Sequence, residues 1–583
     1  MGNLYKHLIL ILMTVVTSVS ASAQDLSYDG FLCEIHGGFQ GPYISITGFD
    51  GDCPSVLEIP EEVQFYGTTY PVTSIDDYAF SECNALTSVS IPNSITKIGQ
   101  GAFNECSSLA SVYISDLKAW CNIYFKNVWA NPLINGASLY LNGELVTDLV
   151  IPDSITTIFP NAFAGYTKLT SITIPNTITK IWSGAFTWCR SLTSVYISDL
   201  EAWYNIDFVD YNSNPLCNYA SLYLNGELVT DVIFPKSVTT IKPYAFNGCI
   251  SLTSVTIPES VTEIGEYAFG LCANLPSVTI PNSVTEIGEY AFKGCSFTSI
   301  TIPNSVTEIK AGTFMNCSSL TSVTIPASVT KIGENAFGWC FYISSVYISD
   351  LEAWCNIEFH YTSNPLIGGA SLYLNGELVT DLIIPESVTT IKPYTFYDCS
   401  SLTSVTIPNS VTEIGEGAFE SCHNLSCMTI PDSVTEIGER AFQCCCGLTS
   451  LTIGESVSEI DATAFYICDN LSIINIRAKT LPTIAPFEGN WGRIEDPFED
   501  VVYENATLYV PAGCGEAYKA AQGWSNFKNI VEGEFSGIDE VTSEESVNEI
   551  VGYYNAQGAM SNEPWQGLNI VVYSDGSHRK VIF

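Results

Sequence analysis

Basic side chains and histidines are scarce in this sequence of 583 residues. Lys and Arg number 21 against 62 Asp and Glu, which gives a formal net charge of −41, and there are five histidines. Because an acidic surface repels phosphate backbones and anionic lipid head groups, we expect no nucleic-acid partner and no adsorption to a membrane surface.

Catalytic and metal-binding signatures are also missing. The sequence holds no Gly-x-Ser-x-Gly elbow, no phosphate-binding loop, no Cys-x-x-Cys and no His-x-x-x-His, and its histidines are scattered. The run from Cys444 to Cys446 offers thiols for a soft metal, but side chains alternate in an extended chain and cannot all converge. We therefore predict that the protein is not an enzyme, uses no cofactor and holds no metal ion.

A long apolar run is lacking everywhere except near the N-terminus. Lys6 precedes an apolar stretch from Leu8 to Val16, and the small residues Ala21-Ser22-Ala23 follow it. This pattern predicts a signal peptide over residues 1–23, since a membrane-spanning helix needs about 20 apolar residues. No later segment is apolar enough to be transmembrane, so we expect a secreted protein or one at the bacterial cell surface.

One short phrase, by contrast, returns thirteen times. A clean copy runs from Leu252 to Cys272, and its Ala/Thr-Phe anchor recurs at Phe80, 103, 163, 186, 246, 269, 292, 314, 337, 396, 419, 442 and 465. Nine of the twelve spacings are 22 or 23 residues, and three are 59 or 60. A period in this range predicts stacked coils, and the alternation in Leu-Thr-Ser-Val-Thr-Ile predicts one strand per coil.

The predicted fold is mostly β: a leucine-rich-repeat solenoid with one parallel sheet over residues 71–475. We expect an N-terminal cap at 24–70, because an exposed end coil would open its core to water. Residues 476–533 are predicted to form a C-terminal cap, with a closing strand at Ala506–Pro511 and a helix from Glu516 to Ile530. A linker and a small strand-rich module are expected over 534–583.

Three inserts, near 112–150, 195–233 and 346–383, account for the long spacings. Each begins Val-Tyr-Ile-Ser-Asp-Leu, and we expect Ser115, Ser198 and Ser349 to be N-caps of a short helix, with the following Asp in its first turn. Asn142-Gly143, Asn225-Gly226 and Asn375-Gly376 lie between apolar runs and predict type I′ hairpins. We expect the helix and hairpin to bulge from one face of the solenoid.

Most of the 21 cysteines follow the repeat. Twelve lie three residues after the anchor phenylalanine: Cys83, 106, 189, 249, 272, 295, 317, 340, 399, 422, 445 and 468. Side chains at equivalent points of stacked strands run parallel, and a disulfide needs a perpendicular dihedral, so we predict buried free thiols there. Cys33 and Cys53 lie outside this column and are the predicted disulfide.

The repeat Leu-x-x-Val-x-Ile-Pro-x-Ser-Val-x-x-Ile-Gly-x-x-Ala-Phe-x-x-Cys resembles the BspA-like leucine-rich repeats of bacterial surface proteins. The inserts and the Leu508-Tyr-Val-Pro511 segment are similar to units of that family. The resemblance implies export and adhesion to host matrix proteins or to the surface proteins of other bacteria. The tail from Tyr554 to Phe583 resembles sorting modules of Bacteroidota surface proteins, although a small hairpin packed on the end of the chain is an equal interpretation.

A partner-binding site is expected on the outer face of the sheet. Its polar positions are mostly Ser and Thr, but Tyr113, Tyr196 and Tyr347 replace threonine in the insert-bearing repeats. Exposed tyrosines are common interface anchors, and they can also stack on sugar rings. We therefore predict a protein-binding surface adhesin, with a carbohydrate-binding surface protein as the alternative. A third interpretation places each tyrosine beneath its own insert.

Overall fold

The structure is a computed structural model, and it describes residues 26–38, 41–484, 487–488, 494–533, 550–555, 560–561, 568–573 and 578–582. The predicted signal peptide and the expected linker at 534–549 lie outside these residues. The repeats form a solenoid of stacked coils, mostly β and with parallel strands, as predicted.

Each coil contains two extended segments separated by proline and a turn. In the clean copy, strand Ser254–Thr256 is followed by Pro258, which cannot donate to a ladder, and then by strand Glu263–Ile264. The first kind of strand forms what we call the broad sheet, and the second forms the narrow sheet. Alternate side chains such as Leu252, Ile257, Val261 and Ile264 are buried between them, which explains the periodicity of the sequence.

Among the described residues, the strands of the broad sheet follow one another along the array in six separate hydrogen-bonded ladders. Its strands are Val56–Glu58, Ser88–Ser90, Ser111–Ile114, Ser138–Leu141, Asp148–Val150, Ser171–Ile174, Ser194–Ile197, Ser221–Leu224, Asp231–Ile233, Ser254–Thr256, Ser299–Thr301, Ser322–Ile325, Ser345–Ile348, Ser371–Leu374, Asp381–Ile383, Ser404–Thr406, Cys427–Thr429, Ser450–Ile453, Ile473–Ile476, Thr507–Pro511 and Asn529–Gly533. Neighbouring strands pair in register, so that equivalent residues of successive coils lie side by side.

The narrow sheet consists of two-residue strands. They are Lys97–Ile98, Tyr124–Phe125, Thr157–Ile158, Lys180–Ile181, Asp207–Phe208, Thr240–Ile241, Glu263–Ile264, Glu286–Ile287, Glu308–Ile309, Lys331–Ile332, Glu358–Phe359, Thr390–Ile391, Glu413–Ile414, Glu436–Ile437, Glu459–Ile460 and Thr483–Ile484. A further short pair, Phe487–Glu488 with Ile494–Glu495, is antiparallel.

The anchor phenylalanines form a buried stack. Within each uninterrupted run their ring centroids are 5.3 to 5.7 Å apart, for example 5.6 Å between Phe269 and Phe292. In all thirteen units the residues two before and two after the phenylalanine have positive φ, such as Tyr267 at 50° and Leu271 at 58°. Left-handed backbone is costly for such side chains. It is offset here by N–H groups of Tyr267, Phe269 and Leu271, which all donate to carbonyls of the next coil.

The inserts are additional coils of the solenoid, so the prediction that they bulge from one face is wrong. In the first, Tyr124–Phe125 extends the narrow sheet beside Lys97–Ile98, and Ser138–Leu141 extends the broad sheet beside Ser111–Ile114. The predicted hairpins are present and follow these strands as Glu144–Leu145, Glu227–Leu228 and Glu377–Leu378. The inserts join the stack because their apolar residues alternate as those of the repeats do.

Each insert also holds a one-turn helix, at Leu117–Cys121, Leu200–Tyr204 and Leu351–Cys355. The N-caps are Asp116, Asp199 and Asp350, not the preceding serines, because each helix starts one residue later than predicted and the aspartate side chain accepts from backbone N–H groups. Short 3₁₀ turns lie at Val128–Ala130, Pro132–Asn135 and Pro215–Asn218.

The junction after each insert is made by side chains. Trp203 in the second insert is buried, and its Nε1 donates to the Ala245 carbonyl at 3.0 Å. Asn214 donates to the carbonyls of Tyr244 and Ala245 at 2.7 and 3.2 Å, and its Oδ1 accepts from the Leu216 N–H. The other two inserts repeat these contacts with Trp120 or Trp354 and Asn131 or Asn364.

Eleven of the twelve cysteines in the column are buried free thiols. Nine donate through Sγ to the phenylalanine carbonyl of the preceding coil at 3.1 to 3.3 Å, as Cys272 does to Phe246. The exceptions, Cys249 and Cys399, come directly after an insert, where no such carbonyl precedes them, and each thiol lies 3.5 Å from a serine hydroxyl instead. The column is therefore a set of weak inter-coil hydrogen bonds.

The predicted Cys33–Cys53 disulfide is wrong. Cys53 is bonded to Cys83, with the Cα atoms 5.6 Å apart. Cys83 is the first member of the column and has no earlier repeat to receive its thiol hydrogen bond, so it is free to bridge to the cap. Cys33 instead lies buried on the cap strand Phe31–Gly38, where its Sγ donates to the Phe31 carbonyl.

Both ends of the array differ from the repeats. The N-terminal strands are Leu26–Tyr28, Phe31–Gly38, Gly41–Phe49, Glu62–Phe65 and Thr68–Ile75. At the other end, helices Asp500–Asn505 and Gly515–Ala520 flank the closing strand Thr507–Pro511. The helix predicted from Glu516 to Ile530 is present only as far as Ala520, because Gly523 at φ 78° leads into a 3₁₀ turn at Trp524–Asn526 and then a strand.

The last part of the chain has four strands in one antiparallel sheet. They are Ile550–Asn555, Met560–Ser561, Leu568–Tyr573 and His578–Ile582. The central pair is Ile550–Asn555 with Leu568–Tyr573.

Candidate functional site

The three predicted tyrosines lie at equivalent points on the outer face of the broad sheet. The flanking residues on the strand, such as Val112 and Ile114 beside Tyr113, point inward and are buried. Each insert places a second tyrosine next to the first, with ring centroids 4.9 Å apart for Tyr113–Tyr140, 5.0 Å for Tyr196–Tyr223 and 4.9 Å for Tyr347–Tyr373. Each tyrosine therefore packs sideways against its own insert, and it remains partly accessible: Tyr113 is 39% exposed, and Tyr196 and Tyr347 are half-buried.

The hairpins add aliphatic residues to these pairs. Leu145 is opposite Tyr140 in the antiparallel ladder and is 49% exposed, and Val150 on the next strand is 64% exposed. The same arrangement occurs three times on the sheet. We call these groups the first patch (Tyr113, Tyr140, Leu145, Val150), the second patch (Tyr196, Tyr223, Leu228, Ile233) and the third patch (Tyr347, Tyr373, Leu378, Ile383).

The sequence pattern predicted one residue of each patch as a binding residue and did not predict the other three. The signal was present in the phrase Leu-Tyr-Leu-Asn-Gly-Glu-Leu, where Tyr140 lies between buried Leu139 and half-buried Leu141. Predicting that this strand joins the broad sheet would have placed Tyr140 next to Tyr113. At the third patch, Leu378 and Ile383 line a surface cleft of about 360 Å³ together with Leu351 and Leu374.

Acidic side chains border every patch. Glu144 and Asp148 flank the first, and Glu227, Asp231, Glu377 and Asp381 occupy the same positions in the others, all exposed. Hydrogen bonds from Ser171, Thr147 and Thr170 hold the pKa of Asp148 below its ordinary value, and Ser404 and Thr380 do the same to the pKa of Asp381. Asp148 and Asp381 therefore keep their negative charge at neutral pH at the rims of the first and third patches.

Many serine and threonine hydroxyls near the edges of the sheets are already used within the scaffold. Thr253 donates to the Thr230 carbonyl at 3.2 Å and Thr321 to the Thr298 carbonyl at 2.9 Å, in each case one coil back. Ser260 and Ser283 bond in the same way to Val238 and Val261, both at 2.7 Å. These columns of hydrogen bonds fix the stacking of the coils. The three patches are therefore what distinguishes the outer surface of the broad sheet.

Among the described residues, the side chains of His423 and of Cys444 to Cys446 do not form a group suited to catalysis. His423 bonds through Nδ1 to the Cys444 carbonyl, and Cys445 is buried while Cys446 donates to the Ile467 carbonyl, so the three adjacent thiols do not converge. In this part of the chain, one set of side chains brings one possible ligand atom each within 4.8 Å of one another: Glu34 and His36 of the N-terminal cap, and Asp76 at the start of the solenoid. The sequence did not reveal it, because Asp76 is far from the other two along the chain.

A family model for the BspA type leucine-rich repeat region matches six copies, over residues 61–130, 136–214, 239–364 and 369–486, which is more than half of the chain. The chain belongs to the BspA-type leucine-rich repeat family. This confirms the resemblance noted in the sequence. Among curated proteins, none matches the chain.

Several solved structures are similar to this BspA-type chain. A leucine-rich repeat protein from Bacteroides ovatus ATCC 8483 is 25% identical, with 79% of this chain and 99% of that chain covered and a TM-score of 0.39. A leucine rich cell surface protein from Faecalibacterium prausnitzii A2-165 is 22% identical, covering 79% and 97%, with a TM-score of 0.28. The pneumococcal vaccine antigen PcpA is 15% identical, covering 88% and 98%, with a TM-score of 0.29.

Within the described part of this BspA-type chain, no helix combines the length and the apolar character needed to cross a membrane. The longest α-helices in that part, Asp500–Asn505 and Gly515–Ala520, have six residues each.

Proposed function

We propose that this protein is an exported, non-enzymatic surface adhesin that binds protein ligands through the outer face of the broad sheet. The observation that carries the proposal is the threefold occurrence of one apolar group, two stacked tyrosines with two exposed aliphatic residues, inside an acidic rim. Tyrosine is among the residues that most often dominate binding energy at protein interfaces. The partners that the family resemblance implies are host matrix proteins or surface proteins of other bacteria.

Export is supported by two features. The first is the N-terminal pattern of a charged residue, an apolar stretch and small residues, which is typical of a signal peptide. The second is the Cys53–Cys83 disulfide, because disulfides persist mainly in oxidising compartments outside the cytosol. An adhesin at the bacterial surface meets both conditions.

Protein is favoured over carbohydrate as the ligand. Tyr113 and Tyr140 stack on one another with an angle of 22° between their planes, so one face of each ring is already in use. A sugar ring needs a free aromatic face, whereas a protein side chain can pack on the edges of the pair and on Leu145 and Val150. Carbohydrate binding is the second candidate, favoured by the tyrosine hydroxyls at this surface.

The test replaces Tyr113, Tyr196 and Tyr347 together by serine. Removing an anchor at the centre of an interface typically costs about 2 kcal/mol or more, so affinity for a protein ligand should fall by at least tenfold. Binding is measured with the folded full chain against a panel of matrix proteins, bacterial surface proteins and glycans. A melting experiment on the variant shows that the solenoid is intact.

A matched control replaces three exposed tyrosines that lie off the broad sheet. Tyr66, Tyr211 and Tyr342 are 87%, 53% and 69% exposed, and their change to serine should leave binding unaltered. Equal loss in both triple variants, or unchanged affinity in the first, contradicts the proposal. Glycan binding lost in the first variant alone would favour the second candidate. Because the rims are acidic, a protein partner should also bind more weakly as salt is raised.

A further inference from the structure

The N-terminal cap brings together an imidazole and two carboxylates. Glu34 and His36 are two residues apart on strand Phe31–Gly38, so their side chains lie on the same face, and Asp76 directly follows strand Thr68–Ile75. One ligand atom from each of the three residues lies within 4.8 Å of the other two. Ligand atoms of one tetrahedral zinc ion lie about 3.3–3.6 Å apart, because the bonds are about 2.0–2.2 Å long, so small side-chain shifts bring these three atoms onto one ion.

The surroundings hold two of these groups in place. Ser45 is buried and donates to Asp76 Oδ2 at 3.0 Å, and His36 Nε2 is 2.8 Å from Ser45 Oγ. The His36 ring stacks on Tyr43 with the centroids 5.1 Å apart. Hydrogen bonds to ligating carboxylates and imidazoles orient them for metal binding, and Ser45 is placed to do this for Asp76.

A cavity of about 480 Å³ opens beside the cluster, and His36 and Asp76 are part of its wall. Three protein ligands leave a fourth position of a tetrahedral ion for water, and the cavity provides space for that water. Imidazole nitrogen suits zinc and related transition metals, whereas calcium and magnesium favour sites made of oxygen alone. The mixed nitrogen and oxygen set therefore favours zinc among common divalent ions.

We propose that Glu34, His36 and Asp76 bind one Zn²⁺ ion that ties the cap to the start of the solenoid. Glu34 and His36 belong to the cap, while Asp76 follows Ile75, whose strand pairs with the first narrow-sheet strand Lys97–Ile98. An ion shared by both sides links residues forty or more positions apart. It would therefore oppose separation of the end coil, which is where a solenoid frays.

Lys97 is the competing cation at this place. It lines the same cavity as His36 and Asp76. If Lys97 is the natural counter-ion of the two carboxylates and no zinc site exists here, replacing it by methionine destabilises the cap and added zinc does not restore its stability. If the cluster is a zinc site, Lys97→Met removes a nearby positive charge and zinc binds at least as tightly as in the parent chain.

The experiment titrates Zn²⁺ into the full chain after treatment with a chelator, with Ca²⁺ as the comparison ion. Calorimetry should give one zinc site per chain. Zinc should also raise the urea concentration at which the cap unfolds, as measured by hydrogen exchange of residues 26–75. His36→Gln and Asp76→Asn should each weaken zinc binding by tenfold or more. His423→Gln is the matched control, because His423 lies in a repeat turn far along the chain, and it should leave binding unchanged.

Free thiols are the main alternative zinc ligands, so all titrations use a background in which the exposed and half-buried free cysteines are replaced by serine: Cys217, Cys427, Cys444, Cys446 and Cys514. Zinc binding that is the same in His36→Gln as in the parent, or protection by Ca²⁺ equal to that by Zn²⁺, overturns the proposal. If His36→Gln fails to fold, the Lys97→Met chain decides: absent or weaker zinc binding there also overturns it. None of these outcomes depends on the adhesin function, which is assayed separately.

Discussion

Replacing Cys272 by arginine is the sharpest test of how the coils are held together. Cys272 is 0% exposed, and its thiol donates to the Phe246 carbonyl at 3.2 Å. Arginine leaves a guanidinium without a counter-ion in this position, which costs about 3–5 kcal/mol, and the extra volume costs about 1–3 kcal/mol more. We expect a loss of about 5 kcal/mol in the free energy of unfolding for the affected coils.

Two companion variants separate the causes of this loss. Cys272→Ser keeps a donor for the Phe246 carbonyl and should cost about 1 kcal/mol. Cys427→Arg places the same charge on an exposed cysteine of the broad sheet and should change stability by no more than about 0.5 kcal/mol.

The assay is urea denaturation followed by tryptophan fluorescence, with hydrogen exchange to locate the change. Neighbouring coils stabilise one another in a solenoid, so the Cys272→Arg variant should lose protection first in residues 246–295. A midpoint equal to that of the parent chain would refute the reasoning, and so would an equal loss in Cys427→Arg. A large loss in Cys272→Ser would mean that sulfur packing, and not the absence of charge, dominates the column.

Three further outcomes follow from the same contacts. Thiol titration of the unfolded, unreduced chain should find 19 reactive thiols, since Cys53 and Cys83 are bonded to each other. In the folded chain the buried thiols should react slowly, because burial raises their pKa, for Cys106 to about 11. Asn214→Ala should lower the free energy of unfolding by about 2 kcal/mol in a urea melt, because the buried Leu216 N–H loses its partner and the Tyr244 and Ala245 carbonyls each lose one of two donors. Burial raises the pKa of Glu420 from 4.5 to about 7, so between these pH values the folded chain holds a proton that the unfolded chain releases. The free energy of unfolding should therefore fall as the pH rises from about 4.5 to about 7. Glu420→Gln, measured at pH 8, should melt at a higher temperature than the parent chain.

The repeating part of the fold could be predicted from the sequence because one pattern specifies it many times. Alternation around Val255, the proline at 258 and the turn before Phe269 each determine a local feature, and the period shows that copies must stack. The buried thiols followed from the same logic, as equivalent side chains of a stack run parallel. Such periodic information needs no knowledge of contacts between distant residues.

The features that could not be predicted depend on single contacts between parts of the chain that differ in sequence. The Cys53–Cys83 bond depends on how the cap folds over the first repeat, and nothing local marks Cys83 as different from the cysteines after it. The insert was expected to protrude because its length broke the period. Only pairing of Ser138–Leu141 with Ser111–Ile114 shows that it fills one coil and sets Tyr140 beside Tyr113.

The inserts also divide the array into exchangeable blocks. Both sheet ladders of the described chain stop at each insert, and the buried tryptophan and asparagine make the junction to the coil that follows. Since the blocks starting at Val112, Val195 and Val346 open with nearly the same residues, a duplication or deletion from one such point to another rebuilds the same junction. Genetic recombination can therefore lengthen or shorten this protein by whole patches, changing how many of them the sheet carries without redesigning any one.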